Sequence, residues 1–115
     1  ETHIAPTYNV TIPADTKVIS KAEDTSFGAI TLTDAQLDPG KSVNVTLKSS
    51  GTLVNVNDTS KKLAYTIRSG KSAFTSASYK GRESTALTIH IEKDDWAKAY
   101  AGDYADTVEF TISYK

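Results

Sequence analysis

The 115-residue chain has no cysteine and no methionine. Lack of cysteine excludes disulfides, thiolate chemistry and Cys-ligated zinc. Lack of methionine includes the initiator, so a trimmed or processed product is expected. Six glycines are scattered singly, and none forms the glycine-rich loop that opens a helix onto phosphate. Neither sign of charge dominates: 13 Lys and Arg oppose 14 Asp and Glu, spread along the chain. That leaves no basic stripe for nucleic acid and no juxtamembrane basic cluster. No apolar run approaches a membrane span in length. Nucleic acid and membrane insertion are therefore excluded as partners, and no cofactor is implied.

What the chain does have is alternation. Tyr8, Val10 and Ile12 alternate with Thr7, Asn9 and Thr11 until Pro13, which lacks an N–H, stops the ladder. Ile4 lies in the same phase, and Lys17 to Ser20 would continue the strand after a jog. Ala29 to Thr33 follows Gly28, where a bulge is expected. Residues 34–40 are rich in turn formers. Ser42 to Lys48 is the cleanest period-two segment, with Val43, Val45 and Leu47 pointing inward. Residues 52–62 look like a polar loop. Leu63, Tyr65 and Ile67 form a further strand. Residues 72–79 suit an edge strand burying Phe74 and Tyr79. Leu87, Ile89 and Ile91 alternate again, Lys93 to Tyr100 suits one helical turn, and Val108 to Tyr114 closes the sequence as a half-buried strand. About seven or eight short strands at intervals near ten residues, with no long helix, predict an all-β, antiparallel two-sheet sandwich. An immunoglobulin-like Greek key is the expected topology, with residues 1–115 forming one domain. A patterned strand at the very end suggests a modular β domain.

Three phrases carry a family likeness: Tyr8-Asn9-Val10-Thr11-Ile12-Pro13, Leu37-Asp38-Pro39-Gly40-Lys41-Ser42-Val43-Asn44-Val45-Thr46-Leu47, and residues 101–114 from Ala101-Gly102-Asp103-Tyr104 to Ile112-Ser113-Tyr114. Together they resemble small extracellular immunoglobulin-like β-sandwich modules of Gram-positive bacterial surface proteins. The closing strand is also similar to that of spore-coat-U-type fimbrial subunits. The resemblance implies an exported, secreted or cell-surface module of an adhesin, stalk or other surface assembly. Its partners would be neighbouring domains of a larger protein, or a host or cell-wall glycan or protein. It implies no catalytic residue.

Candidate sites are few. His3 lies near a terminus and His90 occupies an outward strand position, where a solvated imidazole is expected. There is no G-x-S-x-G elbow for a serine nucleophile. Asp94 and Asp95 are read as caps of the short turn. Oxygen-bearing residues Asn55, Asn57 and Asp58, and Asp103 with Asp106, suggest turns before they suggest calcium, because no EF-hand spacing occurs. The Asn-x-Thr triplets at Asn9, Asn44 and Asn57 are read as chance matches in Thr-rich strands. Asp106 sits in the inward phase of its strand, and with Lys17 or Lys21 it is the conceivable acid of an amide cross-link; a strand starting at Thr107 explains it as well. Trp96, Tyr100 and Tyr104 form the one aromatic cluster. Exposed, they would stack on a sugar ring; buried, they would plug one end of the sandwich. With no catalytic and no metal-binding set in the sequence, the chain is read as a non-catalytic spacer or adhesion domain. A polymerising fimbrial-type subunit, using residues Glu1 to Thr7 for strand addition, and a carbohydrate-binding module are the alternatives.

Overall fold

The computed structural model describes residues 2–14 and 16–115, so Glu1 of the leading segment lies outside the described residues. Alternation becomes strand nearly everywhere it occurs: β1 (Thr7–Thr11), β2 (Asp24–Gln36), β3 (Val43–Lys48), β4 (Thr52–Asn55), β5 (Lys62–Ala64), β6 (Thr66–Ser69), β7 (Ser72–Ala73), β8 (Ser76–Tyr79), β9 (Glu83–His90), β10 (Tyr104–Ala105) and β11 (Glu109–Tyr114), with one helix, α1 (Lys93–Lys98). The protein is all-β, and its strand pairings are antiparallel.

The strands form three sheets where two were expected: β1-β2-β9-β6-β7, β10-β4-β5 and β11-β3-β8. The split between the two smaller sheets has a local cause. β4 and β3 run in tandem along β10 and β11, and Asn55 opposes Tyr104, which would set Lys48 against Thr111; Lys48 opposes Glu109 instead. The two-residue slip falls at Ser49-Ser50-Gly51, whose hydroxyls bond locally and compete with the ladder: Ser49 Oγ accepts from Gly51 N at 3.1 Å and Ser50 Oγ from Thr52 N at 3.2 Å. A second break divides the strand expected at Leu63 to Ile67. Tyr65 lies between β5 and β6, which belong to different sheets, and its N–H goes to the Gly51 carbonyl at 3.0 Å.

Other boundaries also move. Asp34 to Gln36, expected in a turn, stays in β2 because Gln36 pairs with Thr7. Asp34 takes a positive φ of 50° and holds Asn9 at 3.1 Å and Arg82 at 3.3 Å. Thr52–Asn55, expected in a loop, is β4, whereas Lys17 to Ser20 forms no strand and leaves Ile19 exposed. The bulge at Gly28 is present. Register shifts between Ser26 and Gly28, whose φ of +102° is open to glycine but strained for other residues.

The core gathers the inward rows of the expected strands: Ile30, Leu32, Val43, Val45, Leu63, Ile67, Leu87, Ile89 and Ile91, with Phe74 and Tyr79 buried as read from the sequence. The molecule is long for its size, 65 × 25 × 17 Å with a radius of gyration of 17.3 Å. A rounded domain of 100 residues has about 13 Å.

Candidate functional site

The β3–β11 pair shows where the fold stays open. Residues directly opposite in an antiparallel pair share a face, so Val43, Val45 and Leu47 belong to one row with Tyr114, Ile112 and Phe110. Val43 and Val45 are wholly buried, whereas Ile112 is 41% exposed. The layer covering β3 therefore covers β11 only in part, leaving Ile112 open. Only β3 pairs with β11 among the described residues, so its other edge carries free N–H and C=O groups. Across the opening stand Ile12, 43% exposed, and Phe27, whose ring stacks on Phe110 at 6.3 Å. Further along, Tyr8 of β1 stacks on Tyr114 at 5.8 Å. Between Ile12, Pro13 and Phe27 on one side and residues 104–108 with Phe110 on the other lies an open cavity of about 520 Å³ that reaches the core at Ile67 and Ile89; Ile112 and Tyr114 are not on its lining.

One end of this cavity is polar. Tyr65 Oη donates to Asp106, and Ser50 Oγ donates to the same carboxylate oxygen at 2.9 Å, while Ser49 Oγ lies 2.7 Å from Tyr65 Oη. Burial, reinforced by the hydrogen bond to Asp106, pushes the Tyr65 phenol up to about 12. Asp106 is exposed and precedes β11, which starts at Glu109, so the carboxylate is not forced into the core and is held by hydroxyls rather than by Lys17 or Lys21.

The aromatic candidates divide. Helix α1 ends at Lys98 and Ala99 is extended (φ −70°, ψ 136°), so Tyr100 does not share a helical face with Trp96. Trp96 is half-buried against the core and donates Nε1 to the Ala22 carbonyl at 2.7 Å. Tyr104, also half-buried, donates Oη to the Tyr100 carbonyl at 2.8 Å. Tyr100 is 62% exposed, with Lys61 Nζ 4.3 Å from its ring centroid. Trp96 and Tyr104 share a second open cavity, of about 600 Å³, and Tyr100 is not on its lining.

Two polar expectations change. His90 is not solvated: it is 7% exposed, with Nδ1 2.8 Å from Asp24 and Nε2 3.2 Å from Glu92. Asp24 is its direct cross-strand partner, and Glu92 lies two residues on, on the same side. The bond to Asp24, against the cost of burial and with help from Glu92, raises the imidazole above its ordinary value. Both ring nitrogens face carboxylates, and neither faces a hydroxyl nucleophile. Asp94 and Asp95 do not cap α1; Glu92 is its N-cap without a side-chain bond, and the two aspartates lie in the first turn beside the positive end of the helix.

Asn55, one of the oxygen-bearing loop residues, is a buried hub. Its Oδ1 accepts from Asn57 N at 2.9 Å and Asp58 N at 3.1 Å, and its Nδ2 donates to the Ala101 carbonyl at 3.2 Å. Gly102 (φ +129°) lies so close that a Cβ there would fall 2.7 Å from Asn55 Nδ2. The two end loops are thereby locked together.

No family model matches the chain, and no curated protein is similar to it. One similar solved structure is a chain of a chaperone–tip adhesin complex, described as vital for synergistic activation of CFA/I fimbriae biogenesis. The match has a TM-score of 0.57 at 15% identity, over 91% of this chain and 42% of that one. The chain thus spans less than half the length of that protein, and at this identity the likeness is one of fold. Among the described residues, no helix is long and apolar enough to cross a membrane.

The open side was only partly legible in sequence. Phe110 and Ile112 read as ordinary inward residues. The missing signal was a count of partners, since among the described residues no segment pairs with the far edge of β11.

Proposed function

We propose that the chain is a non-catalytic module of an extracellular bacterial surface assembly of fimbrial type, joined to a neighbour by strand addition along β11. The observation that carries this reading is the half-uncovered Phe110–Ile112–Tyr114 row on a strand whose outer edge is unpaired among the described residues. An extended segment laid there would satisfy the free backbone groups and cover the apolar row at once. On this view the three sheets are an immunoglobulin-like two-layer Greek key short of one edge strand. The likeness to a chain from a fimbrial complex supports the setting. The leading residues ahead of β1 supply a suitable segment, with Ile4 61% exposed.

Sedimentation across a concentration series tests the reading. The chain is expected to form multiples of itself, and Ile112→Lys is expected to remain monomeric with an unchanged β-sheet circular dichroism spectrum. A chain that stays monomeric at every concentration overturns it. A stand-alone spacer or adhesion domain is the second reading, favoured by the Tyr8–Tyr114 stack that lays β1 partly over β11 within one chain.

A further inference from the structure

The cavity beside α1 adjoins the first cavity, sharing Thr16, Leu53 and Tyr104 with it, and reaches the core at Leu63, but none of its lining lies on β11. It is bounded by the segment 16–20, by Leu53 and Leu63, by Trp96, and by the turn from Gly102 to Tyr104, and its volume is about 600 Å³. That lies within the roughly 300–1,000 Å³ typical of small-molecule sites. The two aromatic rings on its wall have their polar atoms engaged with backbone carbonyls, Trp96 Nε1 with Ala22 and Tyr104 Oη with Tyr100. What they offer to the cavity is therefore ring carbon, held in a fixed orientation. Ser20, Lys17 and Asp103 also line it, and all three are exposed. Neither Lys17 nor Asp103 forms an ion pair among the described residues.

The far wall is pre-formed. Asn55 ties the 55–58 loop to Ala101, and Val56 N donates to the Asp103 carbonyl at 2.8 Å. A wall already ordered in the free protein loses little entropy when a ligand arrives.

We infer that this cavity is a binding site for a neutral saccharide of one or two pyranose rings. A pyranose has an apolar face of C–H groups for Trp96 and Tyr104 and a rim of hydroxyls that donate to Asp103 and accept from Lys17 and Ser20. One cation balanced by one anion selects no net charge, which disfavours phosphorylated and polyanionic ligands. The site is independent of strand addition at β11, because the rows that would meet a neighbour lie on Phe110 and Ile112.

The test uses the intact chain and its single tryptophan. Trp96 emission is titrated with glucose, galactose, N-acetylglucosamine, N-acetylgalactosamine and their β-linked disaccharides, and with glucose 6-phosphate and glucuronic acid as charged controls, with amide chemical shifts followed in parallel. At least one neutral sugar is expected to give a saturable change in emission, with shifts confined to residues 16–20, 93–98 and 102–104 and to the neighbourhood of Leu53 and Leu63. Asp103→Ala and Lys17→Ala alter exposed polar groups, and each is expected to weaken binding by about tenfold, roughly 1.4 kcal/mol, while leaving the circular dichroism spectrum unchanged. No saturable response to any of these sugars at tens of millimolar overturns the inference. So does binding that both variants retain at full strength, or a response only to glucose 6-phosphate or a uronic acid. None of these outcomes bears on whether the chain self-associates.

Discussion

Val45 and Ile112 face each other across the β3–β11 ladder, yet one is 0% and the other 41% exposed. Truncating each to alanine measures the openness of the fold directly. Val45→Ala removes two carbons from an enclosed site, about 1.6 kcal/mol of transfer free energy at about 0.8 per carbon. The cavity left behind raises this to about 2–3 kcal/mol. Ile112→Ala removes three carbons, but water already covers much of the side chain and fills the space left, so the loss is about 1–1.5 kcal/mol. The smaller truncation should therefore cost about twice as much as the larger. Urea unfolding of the dilute monomer, with unchanged m-values, reads the difference. In thermal melts the gap corresponds to roughly 5 °C for a domain near this size. If Ile112→Ala costs as much as Val45→Ala, the row over β11 is closed and the reasoning fails.

Further outcomes follow from the polar groups. Because His90 is raised in the folded state, its stabilisation is fully present below the unfolded value of about 6.5 and is lost as pH rises through the folded value. The urea midpoint should fall over that window in the native chain and not in His90→Gln. Asn55→Ala leaves two N–H groups and one carbonyl without their partner and should cost about 2–3 kcal/mol, with faster amide exchange at Asn57 and Asp58. Gly102→Ala should cost about 1–3 kcal/mol in the same assay, since both its φ of +129° and the approach of Asn55 oppose a side chain. In an absorbance titration one of the six tyrosines should ionise near 12, and Tyr65→Phe should remove that component.

Strands were legible where one face is buried, because period two is imposed by the pleat itself; Val43, Val45, Leu87 and Ile89 illustrate it. The breaks were not. The residues from Thr52 on read as a polar loop after β3, yet Ser49 to Gly51 is a two-residue slip between β3, paired with β11, and β4, paired with β10. Tyr65 looked like the middle of a strand, and no local pattern shows that its flanks join different sheets. His90 looked solvated because its two carboxylates come from a distant strand and from beyond its own strand end. Trp96 and Tyr104 were readable as aromatic anchors; their shared cavity was not, because Lys17 to Ser20, read as a continuation of the first strand, complete it without forming one. The openness of β11 was invisible for a further reason. Alternation reports which side of a strand turns inward and says nothing about whether a layer lies over it.

The most direct measurement is amide hydrogen exchange along β11 in dilute monomer, before and after adding a peptide of residues 2–13. Amides directed at β3 should be protected from the start, while the alternate, outward-directed ones exchange rapidly and then slow when the peptide is present. Uniform protection of β11 in the free monomer, or fast amides that the peptide leaves unchanged, would contradict the account.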